Sequence, residues 1–258
     1  MKENKRKAVR LILLLVFLIS AGILFYDMVL TPRQNQELSE QLKKDFQEET
    51  PGDTPGDASP EEERPSAGEK SQVSPLDLAA LRAAYPDVQG WLTIPGTNID
   101  YPVLQSTESE PEYYLHRNYK KEWSANGSLF LQWNSNVSES QNLIIYGHNM
   151  NSGAMFGNLD QYRQYSYWEA HKSVFFQTIS GVSEYEIVAV MTADTGIFPF
   201  QQVVFGMEGV DSYVERAKAL SVFKTGGSQN VSDHVLTLVT CAYEWDDARI
   251  VVVAVEKA

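Results

Sequence analysis

The only cysteine of the chain, Cys241, ends a β-type run, and Arg249 opens the next one. Residues 235–240 alternate apolar and polar side chains as on a half-buried strand, and residues 250–255 are apolar and mostly β-branched. A short polar loop joins the two runs. The connection brings a thiol at one strand end beside a guanidinium at the start of its neighbour. The thiolate is a nucleophile, and the guanidinium is a planar, permanent cation. The chemistry such a pair suits is nucleophilic catalysis beside a fixed positive charge.

Such a thiol needs a proton partner, and the chain has four histidines. His148 closes the apolar run 142–148 and enters a loop of small polar residues, 149–153, while Gly147 before it permits close backbone approach. His116 and His171 lie in polar segments and read as solvated. His234 precedes the cysteine strand by one strand length, which sends it to the opposite end of the sheet. Alone, His148 reads as a structural histidine and Cys241 as a small buried hydrophobe. Together with Arg249, and with a polar loop after the thiol, they read as a site. The histidines are scattered without metal-ligand spacing, and no glycine-rich phosphate loop occurs, so no metal or other cofactor is expected.

The elements that must position these residues follow from the rest of the chain. At 258 residues with 43% hydrophobic content it holds one domain plus appendages. Basic residues in 1–10 precede an apolar run in 11–30, which predicts a transmembrane anchor with a cytoplasmic basic tail, so that everything beyond it lies outside the cell. A cleaved signal peptide is the competing reading, but the apolar run continues through the small residues 20–22. Both readings export the domain. In an exported protein a single cysteine serves no disulfide framework. The net charge is −13, and residues 31–74 carry much of the acidic excess, including a Pro-Gly-Asp repeat at 51–57. They read as a largely disordered extracellular spacer, with a short polar helix at 34–49 that could self-associate. The acidic balance excludes a nucleic-acid surface.

The folded domain is expected over 75–258. It opens with a helix at 76–85, followed by strands within 90–103, 127–133, 142–148, 183–191, 235–240 and 250–255. Helical patterns at 155–162 and 210–223 interrupt them, the second inside the long connection before the cysteine strand. The fold class is mostly β: a closed barrel of about eight strands with an N-terminal helix and a helix in that long loop.

Residues 237–241, Thr-Leu-Val-Thr-Cys, with Arg249 on the following strand, resemble the TLxTC…R signature of sortases, the cell-wall transpeptidases of Gram-positive bacteria. Residues 142–150 resemble their histidine strand, and blocks at 91–103, 113–115, 127–130, 153–156 and 241–245 are similar to class B members. The resemblance implies that Cys241 attacks the carbonyl at a C-terminal sorting signal of a secreted protein. His148 would protonate the leaving amine, and Arg249, helped by the Ala242 N–H, would hold the oxyanion. An amine of peptidoglycan or of its lipid-linked precursor would then resolve the thioacyl-enzyme. It further implies that Leu115 and Tyr146 line the sorting-signal groove, although core packing explains both equally well. Val239 departs from the serine often found two residues before the cysteine, which removes a hydroxyl hydrogen bond there.

Three other readings remain in the sequence. A pilus-assembling sortase would take a pilin lysine as acceptor, but no lid-like segment with an aromatic plug precedes the barrel. A non-catalytic membrane-tethered binding module would be expected to lose Cys241, His148 or Arg249, and all three are present. A cysteine protease would use the same site with water as acceptor.

Overall fold

The alternating runs form strands that close on one another. The computed structural model describes residues 2–25, 31–47, 75–206, 209–225 and 233–257. Its strands are β1 (Val88–Thr93), β2 (Asp100–Gln105), β3 (Leu129–Leu131), β4 (Asn142–Tyr146), β5 (Ser173–Thr178), β6 (Gly181–Ala193), β7 (Val235–Cys241) and β8 (Arg249–Glu256). They form a closed barrel in the order β1-β2-β3-β4-β7-β8-β6-β5, as expected for the fold class. The β2–β3 and β4–β7 pairs are parallel and the others antiparallel. A parallel neighbour cannot be reached by a hairpin, so the chain makes a long excursion between β4 and β7.

That excursion determines what covers the barrel. Inward side chains of the site strands, among them Ile145, Leu238, Ile250 and Val252, fill the interior. Outward side chains such as Ile144, Val239 and Val251 are buried as well, beneath Val210, Tyr213, Val214 and Ala217 of a helix from the excursion (Gly209–Leu220). With both faces covered, β7 and β8 are buried along nearly their whole length.

Two sequence expectations shift locally. The helical pattern at 155–162 becomes a loop with a 3-10 turn at Leu159–Arg163 and a short helix at Tyr165–Ala170. Met155 adopts a positive φ of 52°, and the Phe156 N–H donates to the His148 carbonyl at 3.0 Å, which breaks helical continuity. Strand β5 was not read because Gln177 interrupts its apolar run; the side chain is buried for a different purpose, described next.

The larger correction concerns residues 31–74. Helix α1 (Lys2–Phe25) is followed by α2 (Thr31–Asp45), and α2 docks on the barrel instead of standing off it. Leu42, 2% exposed, packs in one cluster with Leu81 of α3 (Leu78–Ala84) and with Trp91 and Leu104 of the barrel. Lys43 Nζ lies 2.5 Å from Asp100 Oδ2, while Trp91 Nε1 and Thr93 Oγ1 donate to the other oxygen of that carboxylate at 2.7 and 2.9 Å. Gln47 and Leu76 then form an antiparallel bridge, and the Asp77 N–H donates to the Phe46 carbonyl at 2.8 Å. Gln177 clamps Leu76 from the β5 side through both its N–H (3.1 Å) and its carbonyl (2.7 Å). Gln47 and Leu76, which flank the acidic stretch, are thus paired, and the disordered spacer expected between them lies outside the described residues. The face of α2 that could have self-associated is used within the chain.

The side chains of Leu11–Ile19 on α1 are 54–69% exposed. Among the described residues no helix is long and apolar enough to cross a membrane, so the spanning segment expected at 11–30 is not found among them. Residues 26–30 of that stretch lie outside the described residues.

Leu42→Ala should lower the unfolding free energy by about 2–3 kcal/mol in chemical denaturation, since it vacates a buried leucine site. Excising residues 50–74 should raise it by about 1–2 kcal/mol, because it shortens the loop closed by the Gln47–Leu76 bridge.

Candidate active site

Strand alternation and two pairing registers bring Cys241, His148 and Arg249 together. Ile144, Val239 and Val251 point outward, so Tyr146, Cys241 and Arg249, each two residues along, point outward too. The parallel β4–β7 register pairs Tyr146 with Val239, and two residues further along both chains stand His148 and Cys241. On the other flank the antiparallel β7–β8 ladder ends in the pair Cys241–Arg249. The thiol position thus falls between those of the imidazole and the guanidinium at one end of the barrel.

One backbone and two side-chain hydrogen bonds extend the pairing past the end of β4. The Gly147 N–H donates to the Val239 carbonyl at 3.2 Å, Thr240 Oγ1 donates to the Gly147 carbonyl at 2.8 Å, and Asn149 Nδ2 donates to the Cys241 carbonyl at 2.8 Å. Gly147 is required by packing: a Cβ there would lie 2.4 Å from Leu129 Cδ2.

His148 is half-buried, with the Leu115 carbonyl close to its ring. Its Nε2 is buried without a hydrogen-bond partner among the described residues. The 3-10 turn Tyr113–His116 thus brings a backbone carbonyl beside the imidazole. Burial, and secondly the nearby His116, hold the His148 pKa below the ordinary histidine value, against the opposing pull of the Leu115 carbonyl.

Arg249 Nη1 donates to the Ala248 carbonyl at 2.9 Å, and Nη2 lies 3.9 Å from Asp247, whose side chain is 90% exposed. So long and solvated a contact does not commit the guanidinium to a surface ion pair. Cys241 and Arg249 border a groove of about 670 Å³ whose walls include Leu115, Tyr146, Val239 and Thr195. Leu115 and Tyr146 therefore line the groove while also packing against the core. Tyr146 stacks on Phe130 at 5.7 Å and donates to Gln132 Oε1 at 2.9 Å; burial above all raises its pKa.

Ala242 does not take the place expected of it. Its N–H donates to the Ala248 carbonyl at 3.0 Å and closes the β7–β8 loop, so it is not available to an oxyanion. Ala242 instead borders a second cleft of about 560 Å³, lined also by Asn149, Asp160, Arg163, Tyr243 and Glu244. Arg163 pairs there with both Asp160 and Glu244 and ties the wall after β4 to the β7–β8 loop.

Sequence reasoning missed the Leu115 carbonyl, the Asn149 amide and the place of His116. His116 is exposed, as expected, yet its ring centroid lies 5.2 Å from that of His148. The one available signal was that Leu115 and His116 are adjacent. His171 bonds the Tyr167 carbonyl and plays no part at this end of the barrel.

Comparisons with known proteins agree with this geometry. The family description Sortase domain matches residues 92–257. The chain is 36% identical to Sortase B of Listeria monocytogenes over 173 residues, 66% of this chain and 69% of that one. It is similar to the structure of Clostridium perfringens sortase B, with a TM-score of 0.63, 32% identity, and coverage of 70% of this chain and 99% of that one. It is also similar to the sortase B of Bacillus anthracis solved in complex with AAEK1, with a TM-score of 0.67, 26% identity, and coverage of 88% and 98%.

Because the folded-state pKa of His148 is depressed, its contribution to stability is full above about pH 6.5, the unfolded histidine value, and falls as the pH drops toward the folded one. Denaturation across pH 5–8 should therefore show a loss on acidification that His148→Asn reduces. Thr240→Val should cost about 1–2 kcal/mol in the same assay, because it leaves the buried Gly147 carbonyl unmet by a hydroxyl.

Proposed function

The chain belongs to the sortase family, in its class B, and is a cysteine transpeptidase of the cell wall; from that premise we propose that Cys241, His148 and Arg249 carry its reaction. The observation that supports this most directly is the double register that sets imidazole, thiol and guanidinium in one outward row beside a long groove.

The client protein lays its C-terminal sorting signal in the groove lined by Leu115 and Tyr146. The Cys241 thiolate attacks the carbonyl carbon at the scissile bond, and a C–S bond forms as the carbonyl electrons move to oxygen. Arg249 holds that oxyanion through its planar fork, without help from the Ala242 N–H. The His148 imidazolium gives its proton to the departing nitrogen, the C–N bond breaks and a thioacyl-enzyme remains. A cell-wall amine then attacks the thioester carbonyl, passes a proton to His148 and expels the thiolate, forming the new amide. The second cleft borders Ala242, the residue after the thiol, and is separate from the groove that takes the signal, which supports it as the approach for that amine.

The catalytic domain works outside the cell, held at the membrane through the N-terminal segment. The basic residues in the first turns of α1 and the exposed apolar side chains 11–19 that follow them support this attachment. Fractionation tests it: the full chain should pellet with membranes, and a chain beginning at Thr31 should stay in the supernatant.

Incubation of the full-length chain in detergent with sorting-signal peptides, with and without a peptidoglycan-like amine, should give amine-dependent ligated product and a Cys241-linked acyl adduct by mass spectrometry. Cys241→Ala should abolish turnover with the barrel still folded, and His148→Ala should come close to that. Arg249→Lys keeps the charge but loses the fork, and kcat should fall about 100-fold. Hydrolysis with no ligated product would favour a protease, and retained turnover in Arg249→Lys would remove the fork from the mechanism.

A further inference from the structure

His148 has no carboxylate partner among the described residues; the ring facing it belongs to another histidine. The centroids of His116 and His148 are 5.2 Å apart with their planes at 45°. The two rings differ in setting: His148 is half-buried with Nε2 unpartnered, and His116 is exposed. Both ties to His148 come from one short turn, since Leu115 supplies the carbonyl and His116 the ring.

That turn is held firmly. The Ser128 N–H donates to the Tyr114 carbonyl at 2.9 Å and the Ser124 N–H to the His116 carbonyl at 3.0 Å. Gly127, at φ +59°, lies so close beneath the turn that a Cβ there would be 2.2 Å from the Leu115 carbonyl oxygen. The backbone that carries His116 is therefore held in place beside His148.

Other charges nearby do not take over its place. Arg117, next along the turn, stacks on the Tyr113 ring at 4.2 Å. Arg249 on β8 bonds the Ala248 carbonyl, Asp247 projects into solvent, and Glu244 is paired with Arg163. Glu112 and Asp246 are exposed, and residues 149–158 after His148 carry no charged side chain. The remaining titratable neighbour is the Cys241 thiol itself.

We propose that His116 is a positioning residue that governs the protonation of His148: positive charge at position 116, 5.2 Å from the His148 ring, opposes a proton on that ring. The proposal rests on the reading of His148 as the proton donor. The thiolate–imidazolium pair and the neutral thiol–imidazole pair hold the same number of protons. One further proton, with the thiol intact and His148 charged, removes the nucleophile and produces the acid limb of activity. An opposing charge on His116 delays that step and extends activity to lower pH.

The test is a charge series at position 116 in the full-length chain: His116→Lys, His116→Gln and His116→Glu. The His148 titration midpoint is read by NMR of histidine-labelled protein in a Cys241→Ala background, and the acid limb of kcat/KM is read in the active enzyme. Position 116 is exposed, and circular dichroism checks that each variant is folded. At a separation of 5.2 Å with one partner in solvent, His116→Gln should raise both by about half to one pH unit. His116→Glu should raise them further, His116→Lys should hold them at or below the parent value, and added salt should compress the series. An invariant His148 midpoint, or one that moves without regard to the sign of charge, would overturn the proposal. A midpoint that follows the charge while the limb stays fixed would instead overturn His148 as the proton donor and, with it, any role of His116 in the reaction.

Discussion

The parallel pairing of β4 with β7 is the constraint on which the site depends. It fixes His148 opposite Cys241 although 92 residues separate the Asn149 and Cys241 partners that lock its far end. No hairpin enforces such a register, so side chains along it must. At its start Thr237 Oγ1 donates to Asn142 Oδ1 at 2.8 Å, and Asn142 Nδ2 donates to the Gln202 carbonyl at 2.9 Å. Both residues are fully buried, which is tolerable because their polar atoms find partners. A slip by one residue would strand these groups in an apolar environment and turn Cys241 toward the barrel interior. The two threonines of the Thr-Leu-Val-Thr-Cys segment thus act as register pins at the two ends of the strand, in addition to any part the segment plays in chemistry.

Around that register the molecule separates two environments. Helix Gly209–Leu220 and its neighbours seal the outer face over the middle of β4, β7 and β8, and the seal ends where the catalytic row begins. Arg249 thereby keeps a polar, solvent-reached setting in which a permanent cation carries little desolvation cost. His148 lies deeper, where the neutral ring is favoured and one backbone carbonyl lies close to it. The imidazole's surroundings are thus tuned by a short surface turn, not by a carboxylate, and the turn is in turn set by the close approach allowed at Gly127.

The opposite side of the barrel is organised by Asp100, which gathers Lys43, Trp91 and Thr93. An aspartate bonded to an indole and a hydroxyl keeps a fixed direction, so its ion pair with Lys43 loses less side-chain entropy than a free surface pair. Leu42 supplies the apolar half of the same dock. The helix α2 is therefore part of the folded domain.

Much of this was legible in the chain itself. The alternation in 235–240 and 250–255 determined two strands, and the placement of Cys241, Arg249 and His148 at strand termini determined which residues could react, because side-chain period and chain polarity are local properties. The barrel class followed from the count of such runs. Tertiary structure alone decided the rest. It put His116 against His148, engaged the Ala242 N–H in a loop bond, buried Gln177 to clamp Leu76, and folded α2 onto β1 and β2. Each of these is a contact between segments distant in sequence or a competition for one donor. Neither periodicity nor composition carries that information, since which partner a polar group finds depends on what packing brings within hydrogen-bonding distance.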